Sequence, residues 1–446
     1  MKPVKRRKFI KDMAKITAGT LVGGYFIDST LFNEARASTT LKASVFVSKN
    51  GTPAENVAKV IEMRFGGIEH FIGPDDVVVI NPNGQWTNQG GSNCACCMGL
   101  IDLILYRPGG FNGEILFVEN TQFNTEGYWT AFGDGLLRNG PYNFNDMIAY
   151  YHSQGHDNVS GFRLWNREMD WVNWPVITGP EEGQGWVRPA WQSPVSGVSF
   201  YLPYPVMRSP YSNRLIDLKN GVYDNGYEDQ PTLKYIKMPN LNNHGTAAEQ
   251  DFAGITSAVK SFLGIAEMEG VWQTGFDDGH KNLHTFHNDI HGNLPAQKAY
   301  ACGEAVGAWM QFCRKPDLFI TTAEWVGWGG RSENLASQKR TVGLADDPVS
   351  LDYYMSKYVL WPCYPPQNYF DPDYDIDNNM TRQTMNGCHS RGFGTVTGNE
   401  IGAYVYDFTS PRTFRFDIDR MILKFRNGEA TQQEVLNLIE KYNQGL

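Results

Sequence analysis

The chain has 446 residues, 41% of them hydrophobic, with 39 Lys and Arg against 48 Asp and Glu and a formal charge of −9. That is enough apolar sequence for a large core or two. The acidic balance argues against a general nucleic-acid binder, which needs a concentrated positive surface, and no stretch is apolar for long enough to be a permanent membrane span.

The basic residues gather at the start. Lys5-Arg6-Arg7-Lys8-Phe9-Ile10-Lys11 resembles a twin-arginine export signal. The moderately apolar stretch Met13 to Phe32 follows, broken by Lys15, Gly19, Gly23, Gly24 and Asp28, and Ala35-Arg36-Ala37 offers a small-x-small cleavage site before Ser38. Residues 1–37 are read as the signal peptide. The expected partner is the twin-arginine translocase during export, and the expected location is periplasmic or extracellular. Cleavage removes eight basic and three acidic side chains, which leaves 31 against 45.

From Ser44 onwards, short apolar runs alternate with helical periods. Strands are expected at 44–48, 76–83 and 114–122, with helices at 54–65 and 98–106 between them. Strands joined through helices of this length imply right-handed crossovers and a largely parallel sheet covered on both faces. The span 38–124 is therefore a first α/β segment. Residues 125–230 differ in texture: Trp129, Trp165, Trp171, Trp174, Trp186 and Trp191 lie among Gly, Pro and Asn. They read as an insertion with a helix at 145–153 and strands at 161–166 and 198–203, whose indoles either pack or hold a ligand.

The alternation returns in a second α/β segment, 231–446. Strands are expected at 233–241 and 317–325, and helices at 249–264, 294–313 and 431–444. The stretch 340–361 gives a strand, an acidic turn and a helix with Pro348 in its first turn, and 362–386 reads as a long surface excursion. The fold class is α/β, a largely parallel sheet flanked by helices with an aromatic-rich insertion.

Three blocks carry a resemblance. Ile80-Asn81-Pro82-Asn83, the run from Met238 through His244 to Gly254-Ile255-Thr256 and Val259-Lys260-Ser261-Phe262-Leu263-Gly264, and Asp347-Pro348-Val349-Ser350-Leu351-Asp352 resemble the domain-of-unknown-function family numbered three hundred and sixty-two, in its twin-arginine-exported branch without the ferredoxin module. The resemblance implies the fold and supplies no settled reaction. Asn81, Asn240 and Asn242 stand where the family tends to place lysines, so an anion held by point charges is less well served here. The C-x-x-C-x-x-C run is absent, and an iron–sulfur cluster is not expected.

Ligands of open parallel sheets bind beyond the carboxyl ends of the strands. Asn81, Asn83 and Trp86 are therefore the candidate binders of a small-molecule ligand. His244 is a candidate general base, Lys260 an electrostatic clamp, and Asp347 and Asp352 acid or supporting groups; the alternative for Asp347 is a helix cap. Residues 280–291 hold four of the nine histidines. On a helix, His280, His284, His287 and His291 fall within about 60° of one another. With Asp289 they form a candidate site for a divalent metal ion, against the alternative of a solvated polar loop. Cys94, Cys96 and Cys97 miss the usual metal spacing, and disulfides with Cys302, Cys313, Cys363 or Cys388 are the preferred reading. The function expected is a metal-assisted enzyme, a hydrolase or an oxidoreductase, acting on a small molecule. The competing expectation is a ligand-binding or redox accessory protein that catalyses nothing.

Overall fold

The computed structural model describes residues 41–120, 129, 138, 140–164, 174–245, 254–267, 276–283, 295–330, 335–416 and 431. Its framework is a mixed, mostly parallel sheet with helices on both faces. Strands β1 (Ala43–Lys49), β2 (Val77–Pro82), β3 (Glu114–Glu119) and β4 (Val159–Arg163) come from the first part of the chain. The region that follows forms short strands β5 (Gly185–Val187), β6 (Ala190–Gln192), β7 (Ser199–Tyr201), β8 (Tyr204–Arg208), β9 (Leu215–Asp217) and β10 (Gly221–Tyr223). The main sheet then resumes with β11 (Leu233–Met238), β12 (Asn240–Asn243), β13 (Ile255–Thr256), β14 (Leu318–Gly327), β15 (Ala336–Ala345), β16 (Ile401–Asp407) and β17 (Ser410–Phe416).

Along the main sheet the order is β17-β16-β1-β15-β14-β11-β2-β3-β4. β14, β11, β2, β3 and β4 are mutually parallel, whereas β15 runs against both β1 and β14. β2 and β3 are buried along their whole length, as expected of parallel strands covered on both faces. Alternation divides their side chains: Val77 and Val79 join one core and Val78 and Ile80 the other.

Among the described residues, six α-helices flank the sheet: α1 (Pro53–Phe65), α2 (Cys94–Leu105), α3 (Phe144–Ser153), α4 (Pro295–Phe312), α5 (Pro348–Met355) and α6 (Met380–Ser390). α1 begins with a complete capping box between Thr52 and Glu55 and ends at Gly66 with φ of 82°. Val57, Val60 and Ile61 of α1 and Leu100, Ile101 and Ile104 of α2 cover one face. Phe262 and Trp309 lie in the core of the other.

Two expectations are corrected. The helix read over 249–264 is absent from its described part: Gly254 takes φ of 71°, Ile255–Thr256 pairs with β12, and Lys260–Gly264 is a 3₁₀ turn. Strand pairing and the turn satisfy the backbone that the apolar spacing suggested a helix would. The surface excursion read over 362–386 ends in α6, which packs against α4 so closely at Gly303 and Gly387 that neither position has room for a side chain. The helix read over 431–444 lies outside the described residues except for Thr431. Among the described residues no helix is long and apolar enough to cross a membrane.

Candidate functional site at the carboxyl ends of the parallel strands

Strand register brings the polar residues together. β2 and β11 pair Asn81 with Lys237 and Pro82 with Met238, so both strands finish at one level beside the end of β3. The Asn81 amide donates to Val118 O at 2.7 Å and to Gly264 O at 3.3 Å. Lys237 Nζ donates to Asn81 Oδ1 and, at 2.7 Å, to Ser261 O, and lies 4.7 Å from the centre of the Phe262 ring. Asn120, just past β3, donates through its side chain to Leu263 O at 2.9 Å and through its backbone N–H to Gly264 O at 2.9 Å. These side chains dock the Lys260–Gly264 turn over the strand ends.

Glu119, the last residue of β3, is 0% exposed, as is Lys237. Burial pushes the Glu119 carboxyl up to about 8, against the pull of the Gly84 N–H, the Trp129 indole and the charges of Lys237 and Arg163. Burial likewise drives the Lys237 amine well below the ordinary lysine range, with Glu119 opposing. Both shifts favour uncharged forms, a carboxylic acid and a free amine. Trp129 Nε1 donates to Glu119 Oε2 at 3.4 Å, while Oε1 has no hydrogen-bond partner. Glycines flank this carboxyl: a methyl group on Gly84 would come within 2.9 Å of Oε2, and one on Gly264 within 3.3 Å of Oε1.

The rim extends through the 83–93 loop. Asn83 N–H donates to Ser92 Oγ at 2.8 Å, Ser92 N–H returns a bond to Asn83 O at 2.9 Å, and Ser92 Oγ donates to Met238 O. Asn240 and Asn242 both turn their amides to Gln89 O, and Arg138 donates to Gln89 Oε1 at 2.9 Å. Asn83 Oδ1 and Asn242 Oδ1 are buried with no hydrogen-bond partner. A buried acceptor left unmatched costs roughly 1–3 kcal/mol.

Of the residues singled out in the sequence, Asn81 and Asn83 belong to this edge, and half-buried Trp86 follows on the same loop. Lys260 opens the docked turn and is buried. His244 is buried at the end of β12, where its N–H donates to Gly254 O at 3.0 Å. Asp347 is elsewhere. β15 is antiparallel to β14 and pairs Ala345 with Phe319, so the residue that follows β15 sits at the amino-terminal edge of the parallel strands. There Asp347 caps α5, accepting from Ser350 N–H at 2.8 Å. Asp352 accepts from Ala258 N–H at 2.7 Å and Val259 N–H at 2.9 Å, and burial pushes it up to about 7. It anchors the backbone leading into the Lys260 turn.

His280 is not on a helix. Gly279 has φ of 89°, Lys281 bridges to Phe200, and the imidazole stacks on Tyr201 with centroids 4.1 Å apart while Nδ1 lies 3.0 Å from Asp278. His284, His287, Asp289 and His291 lie outside the described residues. Among the described residues, no group of three or more His, Cys, Asp or Glu side chains is placed to hold a metal. All seven cysteines are free thiols; Cys94, Cys96 and Cys97 are buried in the core against α1 and α3, where burial raises their pKa and suppresses thiolate chemistry.

Glu119 and Lys237 escaped the sequence reading. Their one local cue was an ionisable residue near the end of an apolar strand, in "EILFVE" and "LKYIKM", each of which also carries a second such residue near its start. No family model matches the chain, and no curated protein matches it.

Proposed function

We propose that this is an exported α/β enzyme that binds a small polar molecule at the carboxyl ends of β2, β3 and β11 and transfers a proton there through Glu119. One observation carries the reading: a fully buried carboxyl held at about 8 at a strand-end ligand position, with one oxygen unmatched. A carboxylic acid still protonated at neutral pH serves as a general acid, and once deprotonated as a base. Burial sets the proton affinity of Glu119, and Asn81 and Ser261 hold Lys237 in place beside it. The twin-arginine-like leader supports export, and two of the three blocks that carry the resemblance, those around Asn81 and Lys260, lie on this edge.

A screen of small polar compounds for turnover tests the reading. Glu119→Gln is expected to lower kcat by about 10²–10⁴-fold and leave KM within a few-fold. Full activity in that variant refutes the role. A ligand that binds and is never turned over is the outcome expected of a non-catalytic accessory protein.

Metal assistance is a second reading, motivated by four histidines in twelve residues. Elemental analysis of mature protein from an export-competent strain tests it. A stoichiometric divalent ion lost in His287→Ala and His291→Ala supports it; active, metal-free protein overturns it.

A further inference from the structure

Three buried oxygens at the strand-end edge accept no hydrogen bond: Glu119 Oε1, Asn83 Oδ1 and Asn242 Oδ1. Their residues are 0%, 8% and 0% exposed. They share one network. Asn83 precedes Gly84, whose backbone N–H bonds the Glu119 carboxyl, and Asn83 is tied to Ser92 in the loop whose Gln89 carbonyl receives the Asn242 amide. Side chains this deeply buried are normally matched, so an unmatched set at one edge asks for a donor from outside the chain.

Chemistry narrows that donor. An anion would lay its charge against the Asn83 and Asn242 carboxamide oxygens, which can only accept. A cation would leave water for two uncharged carboxamides and a carboxyl that burial keeps protonated, in a network that already contains the Arg138 guanidinium. A neutral molecule with several hydroxyl groups donates to each oxygen without bringing a charge. Half-buried Trp86 follows Asn83 on the same loop, and the half-buried Trp325 ring has the Arg138 guanidinium over it at 5.5 Å.

We propose that the edge takes an uncharged polyhydroxylated ligand whose hydroxyls donate to Asn83 and Asn242 and share a hydrogen bond with Glu119. This deepens the reading of that edge as the working site and rests on it. The test is calorimetric titration of the mature protein with D-glucose, D-galactose, D-mannose and myo-inositol, with methylammonium and calcium chlorides in parallel. At least one polyol is expected to bind saturably, with affinity reduced about tenfold or more by Asn83→Leu and by Asn242→Leu. If either leucine variant fails to fold, Asn83→Ser or Asn242→Ser, which shorten the acceptor, are read the same way. Binding of none of the four polyols, binding of methylammonium or calcium in their place, or unchanged affinity in the variants overturns the inference. Glu119→Gln keeps an oxygen acceptor and is expected to bind the polyol within about threefold of wild type. Polyol binding with turnover insensitive to Glu119→Gln therefore defeats the acid–base reading alone, whereas proton transfer that depends on Glu119 without polyol binding defeats the ligand class alone.

Discussion

Two buried carboxyl groups do different work in this molecule. Asp352, within α5, binds the segment leading to the Lys260 turn, with each oxygen taken up by a backbone N–H. Glu119 closes β3 with one oxygen held by Gly84 and Trp129 and the other unmatched. Burial raises both, Asp352 to about 7 and Glu119 to about 8. The number of matched acceptors, and not the size of the shift, separates a structural anchor from a group available to a ligand.

Substitution at the anchor gives the largest expected effect. Asp352→Ala leaves the Ala258 and Val259 N–H groups buried without acceptors and is expected to cost about 2–5 kcal/mol in urea unfolding. Glu119→Gln is expected to cost less than about 1 kcal/mol, because its environment makes fewer demands on it. Equal losses would erase the distinction between the two sites.

Next come the pH slopes. In the fold Glu119 retains a proton that an unfolded glutamate loses above 4.5, and Lys237 lacks one that an unfolded lysine keeps up to 10.5. The two differences act on the pH dependence of stability with opposite signs, so each offsets the other where both operate. Lys237→Met leaves the raised carboxyl alone. The folded state then binds the extra proton, and stability falls as pH rises from 4.5 through about 8 relative to wild type. Glu119→Gln leaves the depressed amine alone, and stability rises with pH towards the ordinary lysine range. Each slope is bounded at about 1.4 kcal/mol per pH unit. Urea midpoints measured across neutral pH check both signs; slopes of the same sign would disprove the opposed pairing.

The smaller effects sharpen the contrast between the two sheet edges. Asp347→Ala removes a helix cap at the amino-terminal edge and is expected to cost about 1 kcal/mol while leaving ligand affinity at the strand ends unchanged. A tenfold loss of affinity there would place Asp347 in the site after all. His280→Ala is expected to have the smallest effect, loss of the Tyr201 stacking contact without a change in ligand affinity, read by near-UV circular dichroism and titration.

Much of the framework was legible because local patterns and tertiary packing agreed. Val77–Ile80 and Ile115–Val118 are apolar without interruption, which two covered faces require, and Asp347 with Pro348 marks a helix start that cap geometry fulfils. The stretch 254–264 misled because its apolar spacing is also compatible with a short strand followed by a tight turn, and long-range bonds from β12 and Asp352 decided between them. Asn81 and Asn83 were found because they follow a strand. Glu119 and Lys237 were missed because nothing local distinguishes a buried ionisable residue near a strand end from an exposed one.

The sequence by itself determined the alternation of strands and helices, the apolar faces and the helix start at Pro348, since these depend on residues within one or two turns of each other. Tertiary structure alone decided that β15 runs antiparallel, which carries Asp347 to the far edge, and that β2, β3 and β11 end together, which joins Asn81, Glu119 and Lys237. The physical reason is that strand direction and register arise from pairing between distant segments, and only burial in that pairing shifts the proton affinities on which the proposed chemistry depends.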